Sequence, residues 1–133
     1  MKRVLIGLTV VGLLGYALTW AVADTRKAAE EDSGKLRHVV LFKFKDSATP
    51  EQIKEVEEAF AALPKKIPEI IDFEWGTNNS PEGLDQGLTH CFLLTFKDEA
   101  GRAVYLPHPD HKAFGKVLRP ILDKVVVVDY FVK

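Results

Sequence analysis

One cysteine, one methionine and four histidines are all that the 133 residues hold of those side chains. Cys91, being alone, excludes an intrachain disulfide and a cysteine-rich metal site. The apolar run around it, His90-Cys91-Phe92-Leu93-Leu94, predicts a buried and inert thiol. A glycine-rich phosphate loop is also missing, and no serine or cysteine stands beside a group that would activate it. Charge is close to balanced, with 18 basic and 19 acidic residues. That balance argues against nucleic acid and against an acidic membrane surface as partners.

What the chain does have begins with an address. Met1-Lys2-Arg3 is a basic start, residues 4–20 are apolar, and Ala21-Val22-Ala23 is a small-x-small cleavage site. Residues 1–23 therefore read as a signal peptide. Their rival reading is a membrane anchor over residues 4–22, since the run nearly spans a bilayer. Either way the domain is expected outside the cytoplasm: periplasmic, on the cell surface or secreted. Cleavage after Ala23 leaves 110 of the 133 residues, enough for one small domain. It also removes Lys2 and Arg3, leaving 16 basic against 19 acidic residues and a formal charge of −3. Residues 24–35 are polar without an apolar period and read as a flexible tether.

Regular structure is predicted from Leu36 onward. His38, Val40, Phe42 and Phe44 alternate with Val39 and Leu41, a strand apolar on both faces. Thr49, Pro50 and Gln52 form a helix start with a capping box, and Ile53, Val56, Phe60 and Leu63 share one helical face. Pro64 and Pro68 are expected to end that helix. A second strand covers residues 70–75, a loop residues 76–87, and a third strand residues 88–96, with His90, Phe92, Leu94 and Phe96 on one face. Asp98 caps a short helix that Pro107 and Pro109 interrupt, Asp110 is expected to cap the next, and residues 124–132 close the domain as a β-branched strand. The order is β-α-β-β-α-β, an α+β ferredoxin-like arrangement.

The most informative segment is Tyr105-Leu106-Pro107-His108-Pro109-Asp110-His111, which sets a phenol and two imidazoles where a helix breaks and restarts. Imidazole is the side chain whose ordinary titration lies nearest neutral pH, so histidines in apolar surroundings suggest proton handling. This segment, the strand from His38 to Lys45, Glu74-Trp75-Gly76, Thr89-His90, Phe114-Gly115 and Asp129-Tyr130 together resemble the stress-responsive A/B barrel (Dabb) family. That family lies within the dimeric α+β barrel superfamily and includes olivetolic acid cyclase-like proteins. The likeness covers residues 36–133. It implies a four-stranded antiparallel sheet and a homodimer whose sheets pack against each other.

The resemblance further implies Tyr105 and His111 as a catalytic acid/base pair, with His38, His90, His108 and Phe60 around the pocket. Phe60 departs from the pattern, standing where a cyclase carries a pocket tyrosine. No cofactor is implied. A divalent cation on the backbone carbonyls of Pro64, Ile67 and Ile70, known from some relatives, would leave no side-chain signature. His108-x-x-His111 is a poor zinc motif because Pro109 interrupts the helical face.

Each residue also has a structural reading. His111 can serve as a proton acceptor or pack under the sheet in a first helical turn. Tyr105 can donate to a developing oxyanion or tie the helix break to a backbone carbonyl. His38 and His90 share a face and are expected to approach each other, either as core histidines or as pocket groups. His108 shapes the turn. Two functional classes follow: an exported, stress-related or small-ligand-binding barrel, and a cofactor-free lyase, cyclase or isomerase acting on a small, partly apolar carbonyl compound. An interior cavity bordered by Tyr105 and His111 favours an enzyme or a ligand binder; a filled interior favours a non-catalytic, stress-related binding or assembly module whose histidines pack the core.

Overall fold

The computed structural model describes residue 27 and residues 31–133, and the chain divides into two units, Met1–Ser33 and Gly34–Lys133. The signal or anchor segment, and residues 24–26 and 28–30 of the tether, lie outside the described residues. In the first unit, residues 27, 31 and 32 are helical, and Lys27 Nζ stands 3.9 Å from Glu31 one turn on.

In the second unit the strands are β1 (Leu36–Phe44), β2 (Asp72–Thr77), β3 (His90–Phe96) and β4 (Leu122–Phe131). The helices are α1 (Pro50–Ala61), α2 (Leu63–Lys66), α3 (Glu99–Tyr105) and α4 (Pro109–Leu118). The sheet is antiparallel in the order β2-β3-β1-β4, the ferredoxin-like topology.

Local chemistry explains the boundaries. Thr49 Oγ1 accepts from the Gln52 amide at 3.3 Å while Gln52 Oε1 accepts from the Thr49 amide at 3.0 Å, closing the capping box that starts α1. Pro64 does not simply end the helical run: it sits in the first turn of α2, where its missing N–H costs nothing. Asp98 caps α3 as expected, accepting from the Gly101 amide at 3.1 Å. The α4 cap is a correction. His108, not Asp110, holds the N-cap position, with Nδ1 accepting from the Asp110 amide at 3.2 Å and Pro109 opening the helix. Extended backbone at His108 is what a following proline favours, and it moves the helix start two residues earlier. In the β2–β3 loop, Gln86 and Gly87 both take positive φ (54° and 80°), and the Asp85 carboxylate accepts from the Gly87 amide at 2.6 Å.

The helices cover one face of the sheet. Leu36, Val40, Phe42, Phe92, Leu94 and Phe96 are buried there against Val56, Phe60, Ile67, Phe114 and Leu118. Phe60 sits at the centre of an aromatic stack, 4.3 Å from Phe92 and 4.5 Å from Phe114 between ring centres. Each fully buried ring of this kind contributes about 1.5–3 kcal/mol relative to exposure. The opposite face carries Val39, Leu41, Leu93 and Val126 half-buried, with Val128 and Tyr130 exposed. Cys91 lies on that face too and is exposed, which corrects the expectation of a buried thiol: the two-residue period turns it away from Phe92 and from the helices. Burial by its neighbours, with the charge of Glu74, still pushes its thiol above the ordinary range.

Candidate functional site

The break between α3 and α4 builds the site. Tyr105 is the last residue of α3 and His111 lies in the first turn of α4, and the intervening Leu106-Pro107-His108 turn brings their rings to 4.2 Å between centres. The turn is held by the His108 amide donating to the Tyr105 carbonyl at 3.0 Å. Beneath it, between helices and sheet, lies a cavity of about 230 Å³. Val40, Phe42, Phe60 and Phe114 form its apolar floor and walls, Leu106, Val125 and Val127 line it from half-exposed positions, and His38, Tyr105 and His111 supply its polar groups.

Tyr105 is 1% exposed. Among the described residues, none hydrogen-bonds its hydroxyl, so the expectation that it ties the helix break to a backbone carbonyl is not met. Desolvation raises the phenol well above the ordinary tyrosine range, so it stays protonated at neutral pH and acts as a donor. His111 Nδ1 lies 3.0 Å from the Leu106 carbonyl. A carbonyl only accepts, so Nδ1 carries the proton and Nε2 of the neutral ring keeps its lone pair.

His38 reaches the same cavity from β1, its ring 5.7 Å from that of Tyr105. Its Nδ1 lies 2.6 Å from Asp129 Oδ1. The other oxygen of Asp129 accepts from Arg102 Nη1, also at 2.6 Å. Asp129 enters the sequence reading only as part of the family pattern, without a site role, and Arg102 does not enter it. The available signal was a carboxylate two residues beyond Val127 in a valine-rich run, and so on the same face; pairing β4 against β1 puts Asp129 directly opposite His38.

The four histidines are not one cluster. His38 pairs with Leu94 whereas His90 pairs with Phe42, four residues apart along β1, so the expected approach of His38 and His90 across the sheet does not occur. His90 is held between Thr89 Oγ1 at 2.9 Å and Glu57 Oε1 at 3.0 Å, against the Phe44 ring at 5.0 Å. It borders a different hollow, under the β2–β3 loop. His108 is the α4 cap and does not line the Tyr105 cavity. Phe60 does line it. Among the described residues, no three His, Cys, Asp or Glu side chains converge as metal ligands.

Residues 36–132 match the family model described as Stress responsive A/B Barrel Domain, Dabb. The chain is 42% identical over 101 residues to the stress-response A/B barrel domain-containing protein HS1 of Arabidopsis thaliana, covering 76% of this chain and 93% of that one. It is 32% identical over 95 residues to olivetolic acid cyclase of Cannabis sativa, covering 71% and 94% respectively. Among solved structures, hydroxynitrile lyase from Passiflora edulis superposes with a TM-score of 0.71 at 27% identity, over 76% of this chain and 95% of that one. A dimeric ferredoxin-like protein from Thermobifida fusca gives 0.63 at 31% identity, over 74% and 92%. Fold, matched span and identity agree: this chain belongs to the stress-responsive A/B barrel (Dabb) family.

Proposed function

We propose that the protein is an exported homodimer that binds a small, partly apolar carbonyl compound beside Tyr105 and acts on it by cofactor-free acid/base chemistry, as a lyase, cyclase or isomerase. One observation carries this reading. A phenol buried to 1% exposure, with no hydrogen-bond partner among the described residues, lines a cavity shared with an imidazole whose Nε2 is left basic. Among the described residues no fully buried side-chain oxygen or nitrogen lacks a partner, so the unpaired hydroxyl is not sealed in but open to the cavity, where a bound carbonyl oxygen can accept from it.

The roles follow from chemistry. Tyr105, held protonated by burial, donates to the carbonyl oxygen and stabilises the charge that develops there. His111 Nε2 takes the proton from the adjacent carbon; the C–H electron pair moves into the new C=C bond as the carbonyl π pair moves to oxygen. The Leu106 carbonyl continues to accept from Nδ1–H and stabilises the imidazolium. Cyclisation, cleavage or proton return then decides the outcome. The relatives named olivetolic acid cyclase and hydroxynitrile lyase support this class of reaction.

The dimer rests on the bare apolar sheet face around Val39, Leu41, Leu93, Val126 and Val128, and on the dimeric relative. Export rests on the basic start, apolar run and Ala21-Val22-Ala23. Sequencing the mature N-terminus tests the latter, and a monomer mass by light scattering would overturn the former. The chemistry is tested by incubating the protein with short aliphatic and aromatic ketones in deuterated buffer. Deuterium at the α-carbon, followed by NMR and lost in His111→Ala, is the expected result; exchange no faster than in buffer alone overturns it.

A further inference from the structure

Resting on that reading of Tyr105 and His111, we propose that Asp129 and Arg102 are positioning residues that fix His38 as a second proton acceptor in the cavity, so that the site selects carbonyl compounds also bearing a hydroxyl or enol. An ionised carboxylate only accepts, so the 2.6 Å contact from Asp129 Oδ1 places the ring proton of His38 on Nδ1. Nε2 is then an acceptor, and among the described residues nothing hydrogen-bonds it. Arg102 occupies the second carboxylate oxygen and is itself 3.6 Å from Glu99, so Asp129 is held from both sides. The cavity therefore offers one donor, Tyr105, and two acceptors, the Nε2 atoms of His38 and His111, within an apolar lining. A plain ketone satisfies Tyr105 and supplies a carbon acid to His111, but it leaves His38 unmatched. A hydroxyketone satisfies all three.

Arg102 makes the test specific. In Asp129→Asn the arginine can bond only the amide oxygen, which turns the amide NH₂ toward His38 Nδ1 and forces its ring proton onto Nε2. The ring tautomer is read by long-range ¹H–¹⁵N NMR on the full chain. Wild type should show Nδ1–H at His38, and the variant Nε2–H with an unchanged melting temperature. Affinity is read by NMR titration with 4-methyl-2-pentanone and its hydroxylated counterpart, 4-hydroxy-4-methyl-2-pentanone. Wild type should prefer the hydroxyketone by about tenfold or more, and Asp129→Asn should lose that preference. An Nε2–H ring in wild type, an unchanged ring in the variant, or equal affinity for the two probes overturns the proposal. The wild-type measurements decide even if the variant does not fold. None of them requires turnover, so their failure is separable from failure of deuterium exchange.

Discussion

Two ends of one sheet face hold a buried histidine beside a carboxylate, yet they are finished differently. At the His90 end both ring nitrogens are engaged, by Thr89 and by Glu57. At the His38 end Asp129 takes one nitrogen, the other is left over, and a cavity lies alongside. A polar group with every bond made is part of the fold's own stability. One left half-satisfied next to space is where an outside molecule gains binding energy. Burial and a charged partner alone would not have separated the two; the count of satisfied nitrogens does.

The sharpest way to break the comparison is at the cavity end. His111→Ala should abolish α-deuterium exchange and Tyr105→Phe should slow it by about 10²–10⁴-fold, with melting temperatures little changed. If exchange and folding fall together, the cavity end is as structural as the other. Glu57→Ala should do the reverse: it strips His90 of its carboxylate and costs about 1–3 kcal/mol in chemical denaturation, while exchange at the cavity is unaffected. His108→Ala removes the α4 cap and should cost ~1 kcal/mol, again without a specific effect on exchange beyond that loss of stability.

The smallest effect is in alkali. Burial raises the Tyr105 phenol above its unfolded value of about 10, so its contribution is fully present below that pH and is lost as pH rises toward the folded value. Denaturation midpoints between about pH 8 and about pH 11 should fall less steeply in Tyr105→Phe than in wild type. Parallel curves would show that the phenol is not shielded.

Much of this arrangement was legible beforehand, and the parts that were not share a cause. Alternation in Leu36–Phe44 and His90–Phe96 sorts each strand's residues onto two faces, and Thr49 with Gln52 marks the start of α1, because these depend on residues near in sequence. The family resemblance is what pairs Tyr105 with His111; the proline-marked break between them is what lets their rings meet. Period two reports the face of a strand but not its register. Alternation therefore puts His38 and His90 on one face without revealing that the residues they meet lie four positions apart along β1, or that Asp129 faces His38. The exposure of Cys91 is hidden from the sequence for a related reason: an apolar run does not say which of its two faces the helices will cover.

The strand order has a consequence for how the chain acquires its shape. Central β1 is the first strand made, and its neighbours are β3 and β4, the last two. Backbone bonds from Gly34 to Val132 and from Val132 to Lys35 join the extremities of the domain at 2.9 and 3.0 Å. Almost nothing in the sheet is closed by a local hairpin except the pairing of β2 with β3. Such non-local pairing slows folding, and the sheet cannot be completed before β4 has left the ribosome. The carboxylate that orients His38 arrives with that same final strand, so assembly of the cavity and completion of the domain are one event.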